Sequence, residues 1–179
     1  MARNKRETDR QVKQNEIVQV AKTLFLSQGY EATTMAAIAR NARVAPNTLY
    51  WYYRDKDDLL IGVLDGLLED GFDRYAKLAD KPLNDMVFWL LKELEQAGSL
   101  VATVHARLSE SAALREWHSQ FHALIDQLFA ERLASRGTED VDQRTDSMIL
   151  SFVVEGLLSH SCDEIEQRRI IDRVLPASA

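Results

Sequence analysis

Apolar side chains recur at three- and four-residue spacing along almost the whole chain, and no segment shows the period-2 alternation of a half-buried strand. The pattern predicts a first helix from about Gln11, carrying Val12, Ile17, Val20, Ala21, Leu24 and Phe25 and closed by Gly29. Thr34 is a good N-cap for a helix of about two turns with Met35, Ile38 and Ala39 on its inner face. Pro46 stands where a first helical residue tolerates proline, and Leu49 and Tyr53 follow four apart. Asp55 can cap a long helix starting near Lys56, with Asp58 as its acidic partner and Leu59, Leu60, Val63, Leu64, Leu67, Leu68, Phe72 and Tyr75 as its stripe. Gly62 and Gly66 share one face of it, where they allow a neighbour to approach closely. Beyond Pro82 come a helix ending near Gly98, a shorter piece with Leu100, Val101, Val104 and Leu108, a long helix over 112–136 closed by Gly137, another over 142–160, and a last one over 163–175. Residues 1–9, with Arg3, Lys5 and Arg6, read as a flexible basic arm.

Residues 33–60, TTMAAIARNARVAPNTLYWYYRDKDDLL, organise the rest. Two short helices joined by a tight turn and followed by a longer one form the arrangement in which a second helix enters the DNA major groove. If Leu49 and Tyr53 face the core, Asn47, Thr48, Tyr50, Trp51 and Tyr52 are left on other faces, an odd placement for three large aromatics unless an external partner uses them. Lys56, at the start of the next helix, would add charge to free amide groups that suit a phosphate.

Thr33, Thr34, Ile38 and Ala39, then Thr48, Leu49, Tyr50, Tyr53, Lys56 and Leu59, resemble the amino-terminal DNA-binding domain of the TetR family of transcriptional regulators. The resemblance covers residues 12–64, and LYWYYRDKDDLL is its most specific part. It implies a homodimeric, all-helical regulator whose carboxy-terminal domain senses a small molecule. By residue-by-residue resemblance, Tyr50 and Lys56 hold phosphates while Asn47, Thr48 and Trp51 approach base edges, with Thr34, Arg43 and Tyr52 completing the DNA-binding set. The sequence departs from the family pattern at Arg43, where glycine is usual, and at Ala45, where serine is frequent. Arg43 in a left-handed conformation costs about 1 kcal/mol, so the turn is expected to differ slightly, leaving Arg43 to reach DNA.

Charge sharpens this picture. The formal charge is −6 overall, yet residues 1–56 hold ten Lys/Arg against five Asp/Glu, and the remainder twelve against twenty-three. A basic head on an acidic body is the footprint of one end meeting a polyanion. Cys162 is the single cysteine, so neither an intrachain disulfide nor a cysteine-rich zinc site exists. The most apolar stretch, 148–158, is interrupted by Ser151 and Glu155 and too short to span a bilayer, and the first residues lack a signal peptide's apolar core. A cytoplasmic protein is expected.

The fold expected is all-α, with a helix-turn-helix domain over 1–56, its reading motif near 33–52, and a helical sensing and dimerisation bundle over 57–179. Apolar positions of 142–160 point in nearly all directions, which calls for a partner subunit; by the family resemblance, 112–136 and 142–160 form the dimer, and Val154 is the interface position to test, provided it faces the partner. Phe72, Tyr75, Phe88, Trp89, Trp117 and Phe121, with His105 and His118 as polar groups, are the candidate effector pocket. His118, His122 and Asp126 line one strip at the spacing of a metal site, but no further ligand is nominated, so they read as a polar flank and no metal or cofactor is assigned. With no phosphate loop or nucleophile elbow, the chain reads as a non-enzyme. The function expected is a repressor that binds near-palindromic double-stranded operator DNA as a homodimer and is released by a small-molecule effector. A constitutive DNA-binding regulator is the alternative, and a helical metal sensor or enzyme stands behind it.

Overall fold

The computed structural model describes residues 2–78, 80–134 and 140–175, and their side chains except those of 2–7 and 140–142. Within these residues there are nine α-helices and no strand: α1 (Ala2–Gln28), α2 (Met35–Asn41), α3 (Pro46–Tyr52), α4 (Lys56–Tyr75), α5 (Leu83–Gln96), α6 (Gly98–Arg107), α7 (Ala112–Ala134), α8 (Asp140–Ser159) and α9 (Glu164–Val174). A 3-10 turn, Ala76–Leu78, follows α4. Residues 2–9 of the expected basic arm are instead the first turns of α1. Arg, Lys, Glu and Gln are good helix formers, and no Gly or Pro interrupts them, so a polar opening is no barrier to helix. Its three basic side chains, the stop at Gly137 and Pro176 lie outside the described residues.

The chain forms two compact units. One comprises Met1–Gly71 with Ser99–Arg115, the other Phe72–Gly98 with Glu116–Ala179. This partition differs from the boundary at 56/57 drawn for the head, because α4 as far as Gly71 and α6 from Ser99 onward group with α1–α3.

In the first unit, Ile17, Ala21 and Phe25 of α1, Ile38 and Ala39 of α2, Leu49 of α3 and Leu59, Leu60 and Val63 of α4 are fully or almost fully buried. Gly29 ends α1 with φ 86°, its N–H bonded to the Phe25 carbonyl at 3.0 Å. The left-handed conformation is one glycine adopts without steric cost. Thr34 caps α2 by accepting from Ala37 N at 3.1 Å, and Asp55 caps α4 by accepting from Asp58 N at 2.8 Å while Asp58 accepts from Arg54 N at 2.9 Å. The turn between α2 and α3 keeps its left-handed residue: Arg43 has φ 55°, so the departure expected from its side chain does not occur. The N–H groups around it still bond back, Arg43 N to Arg40 O at 3.2 Å and Val44 N to Ala39 O at 3.0 Å, and these offset the strain. Ala45 precedes α3 without a side-chain cap.

The corner between α1 and α2 is tied to α4 and α6 through Tyr30. Its hydroxyl donates to Asp57 Oδ1, and Arg107 of α6 grips the same carboxylate with Nε at 2.7 Å and Nη2 at 3.0 Å. Burial pushes the Asp57 carboxyl up, but hydrogen bonds from Arg107 and Tyr30 outweigh it and hold the group below its ordinary range. Burial, then the bond to Asp57, raises the Tyr30 phenol, and the bond to Asp57 raises Arg107.

The second unit is built on one core in which Leu83, Met86, Val87 and Leu91 of α5 meet Ile125, Phe129 and Leu133 of α7, Leu150, Val154 and Leu157 of α8, and Ile171 and Leu175 at the chain's end. Asp163 caps α9 by accepting from Glu166 N at 2.9 Å. Val154 is 4% exposed and belongs to this intramolecular core, so it is no interface residue. Periodicity could not reveal this, because the helix is apolar on several faces.

Two outcomes test this packing. A β-carbon at Gly62 would stand 2.9 Å from Tyr53 Cε1 and 3.0 Å from its hydroxyl, and Tyr53 is only 5% exposed. Gly62→Ala is therefore expected to lose stability by about 1–2 kcal/mol in urea unfolding despite alanine's better helix propensity. Gly66→Ala, whose β-carbon meets only Val18 at 3.7 Å, should be neutral or stabilising. Asp57→Asn, which leaves Arg107 only the more exposed carboxylates of Glu110 and Glu31, at 3.2 and 3.7 Å, should cost about 2 kcal/mol at pH 7. Since the folded-state pKa of Asp57 is depressed, its contribution is whole above the unfolded value of about 4 and drains as pH falls through the lower folded value. The gap between wild type and variant should close in that acid window and nowhere above it.

Candidate nucleic-acid interface

The candidate reading surface is α3, a helix of seven residues. Isolated helices of this length are not stable, so α3 exists because its inner side is anchored. Leu49 is 0% exposed, Tyr53 just beyond the helix is nearly as buried, and Tyr53 N bonds to Leu49 O at 2.9 Å. With these two inside, Asn47 and Thr48 are exposed, as are Tyr50 at 52% and Trp51 at 62%, while Tyr52 is half-buried. Trp51 and Tyr52 meet edge to face, with centroids 4.8 Å apart. An amide, a hydroxyl and two large aromatic rings thus stand on one short helix without being needed for the core.

Around α3 the charge is largely positive. Arg40 of α2, Arg43 in the turn and Arg54 after α3 are exposed. Arg10 of α1 lies over the Trp51 ring, its guanidinium carbon 4.7 Å from the centroid. This cation–π contact adds to the site a residue that the sequence did not nominate. No periodicity links positions that far apart on two helices, and the only prior signal was the basic excess of the head.

Thr34 and Lys56 are placed differently from the rest. The Thr34 hydroxyl is engaged as the cap of α2. Lys56 turns its ammonium to the α1–α2 corner, donating to Tyr30 O at 2.8 Å and Thr33 O at 3.2 Å and lying 4.0 Å from the Tyr30 ring centroid. Two of its three donors are thereby directed at carbonyls that a lysine near a helix start was expected to leave for a phosphate. The sequence offers no sign of those carbonyls, since turn geometry creates them.

The effector-pocket candidates divide. In the second unit Tyr75 and Trp89 are 6.0 Å apart, and Trp117 stacks on Phe121 at 5.5 Å with planes only 6° apart. Phe88 instead faces Lys92 and Arg168, at 5.2 and 5.4 Å. Phe72 is 40% exposed. His105 is an exposed residue of α6, in the first unit. His118 lies beside His122 on α7, whereas Asp126 accepts from Ser151 Oγ at 2.8 Å.

Residues 17–63 match the family described as bacterial regulatory proteins, tetR family. The chain is 40% identical over 57 residues to the HTH-type transcriptional regulator HbdR of Aromatoleum sp. (strain CIB), a stretch covering 32% of this chain and 25% of that protein. It is 33% identical over 132 residues to the HTH-type transcriptional repressor KstR of Mycobacterium tuberculosis (strain ATCC 25618 / H37Rv), covering 70% of this chain and 60% of that one. The chain thus spans less than two thirds of the length of these relatives. A transcriptional regulator from Rhodococcus sp. Rha1 shares the fold, with a TM-score of 0.72 at 15% identity over 90% of this chain and 93% of that one. With the head matched and the fold all-helical, the chain belongs to the tetR family of bacterial regulatory proteins, regulators with an amino-terminal helix-turn-helix domain.

Proposed function

We propose that this protein is a sequence-specific transcriptional regulator that binds double-stranded operator DNA as a homodimer and acts as a repressor released by a small-molecule effector. The observation that carries the DNA-binding part is α3, anchored by Leu49 and Tyr53 and presenting Asn47, Thr48, Tyr50 and Trp51 outward. Asn47, Thr48 and Trp51 take base edges in the major groove, where an amide side chain pairs bidentately with adenine. Tyr50, Tyr52 and Arg43 hold the backbone and set orientation. Thr34 serves by fixing the start of α2. Lys56 acts mainly as a positioning residue, with its remaining donor directed to a phosphate beside the α4 N-terminus.

Dimerisation is assigned to α8 with α9. Met148, Ile149 and Phe152 of α8 are 42%, 42% and 63% exposed, and Ile165 of α9 is 66% exposed. They contrast with α7, whose Ile125, Phe129 and Leu133 are turned into the core. A two-fold axis through this apolar face pairs the two heads and makes the operator near-palindromic. The effector reading rests on the aromatic pairs Tyr75–Trp89 and Trp117–Phe121 of the second unit. To release the operator, the ligand must prefer the DNA-incompetent state by a few kcal/mol. No described helix is long and apolar enough to cross a membrane, which suits a regulator working at cytoplasmic DNA.

Selection of bound fragments from genomic DNA supplies the operator on which the assignment is measured. Asn47→Ala is expected to relax preference at one base position by about 1–3 kcal/mol. Arg43→Ala should weaken all sequences alike and lower the slope of log affinity against log salt by about 1. Equal affinity and equal preference in both variants, with unchanged helicity, would remove α3 from the interface. For the dimer, Phe152→Arg should sediment as a monomer and bind the operator at least tenfold more weakly, whereas Val154→Arg should unfold the second unit. A wild type that sediments as a monomer at micromolar concentration rules out the two-fold assembly. Compounds found by thermal shift that bind tightly but leave operator affinity unchanged would favour a constitutive regulator.

A further inference from the structure

Arg10 of α1 and Trp51 of α3 form a pair that the core of the first unit does not need. Trp51 is 62% exposed, and the Arg10 guanidinium carbon lies 4.7 Å from the centroid of its ring, so the contact lies at the surface. The place of Arg10 is nonetheless fixed. Further along the same continuous helix Ile17 and Ala21 are 0% exposed, and this buried part of α1 sets where Arg10 stands. The other basic side chains described on α1 are used differently. Lys13 pairs with Glu16 and Lys22 with Asp70 at 3.4 Å, whereas among the described residues Arg10 is held by a ring and by no carboxylate.

A cation over a ring face is attracted by the ring's quadrupole and spends no N–H donor. A guanidinium carries those donors in a planar fork that matches a phosphate bidentately. Arg10 is exposed beside α3 and so can take a backbone phosphate without leaving Trp51. Trp51 gains in turn. An exposed indole rotates about its side-chain torsions, and its only polar group, Nε1–H, reaches an acceptor on a base edge only when the ring points the right way. Tyr52 meets the ring edge to face at 4.8 Å and Arg10 lies over it, so two neighbours restrain the indole before any DNA arrives. A side chain ordered in advance loses less freedom on binding.

We propose that Arg10 is a specificity-determining positioning residue: it grips a DNA phosphate while holding the Trp51 indole at a base edge, so that the backbone contact and the base reading act as one unit. The proposal rests on the reading of α3 as the DNA-facing helix. A phosphate contact by itself carries no sequence information. Through Trp51, this one does.

The test uses the full chain on an operator duplex selected from genomic DNA and on a scrambled duplex of equal length, with single-base changes in the operator to locate the position that Trp51→Ala relaxes. Arg10→Ala is expected to lower the slope of log affinity against log salt by about 1 on both duplexes. It should also relax preference at the same base position as Trp51→Ala, by about fivefold, and the double variant should relax it no further than Trp51→Ala alone. Arg10→Lys, which keeps a cation over the ring, should restore the slope. Lys22→Ala, which removes a cation elsewhere on α1, should leave slope and preference unchanged. The substituted side chains are exposed or partly exposed, so circular dichroism should show full helicity in every variant. A Trp51→Ala variant with no relaxed position, unchanged preference in Arg10→Ala, or additive losses in the double variant overturns the pairing. If Asn47→Ala relaxes preference while Arg10→Ala does not, the pairing alone fails; if neither does, the reading of α3 fails with it.

Discussion

The corner at Tyr30 is the constraint on which the head depends. Its ring lies 4.0 Å from the Lys56 ammonium and 5.2 Å from the Arg107 guanidinium carbon, its hydroxyl meets Asp57, and its carbonyl receives Lys56. The charges here are only partly exposed, and charges withdrawn from water are tolerable when each finds a partner with good geometry. Here the partners come from the α1–α2 corner, the first turn of α4 and the end of α6, so those three places are held together by directional bonds rather than by apolar contact alone. Hydrophobic burial supplies most of the free energy of the head. The polar corner supplies its geometry.

That geometry leaves the outer side of α3 free for the role proposed for it. Seven residues cannot sustain a helix in water, and two of the positions here, Leu49 and Tyr53, do the anchoring. The close contact of the Tyr53 ring with Gly62 fixes α3 against α4 on a side where no side chain intervenes. The outer positions then carry no structural duty and can be chosen for what they touch. Arg43 shows the other side of this division, since a cation is kept at a backbone conformation that suits glycine, at a cost of about 1 kcal/mol.

What the sequence revealed and what it hid follow a physical line. Caps and anchors were legible because they are local: Thr34 to Ala37, Asp55 to Asp58, Leu49 to Tyr53 are contacts of three or four residues. The start of α1 is hidden because its residues are polar, as those of a loop would be, although Arg, Lys and Gln have good helix propensity. Long-range partners were invisible. Nothing in the string pairs Arg10 with Trp51, Asp57 with Arg107 or His122 with Glu155, and the inward turn of Lys56 depends on carbonyls that exist only once the corner has formed. The inner and outer faces of α8 were equally hidden, because Leu150 and Val154 are as apolar as Met148 and Phe152 and only the fold distinguishes them.

The contact of Asp126 with Ser147 and Ser151 decides more than it contributes in energy. An apolar helix packed by apolar contacts alone can slide a turn or roll about its axis at little cost, since leucine for valine changes the fit only slightly. Two hydroxyls, one turn apart on α8 and both directed at the same residue of α7, make such sliding expensive, because any other alignment leaves polar atoms unpaired. They act as a key that fixes both the axial register and the roll of α8. Which of its apolar faces is spent on the core and which is shown to the outside is therefore settled by two serines, neither of which lies on that outward face.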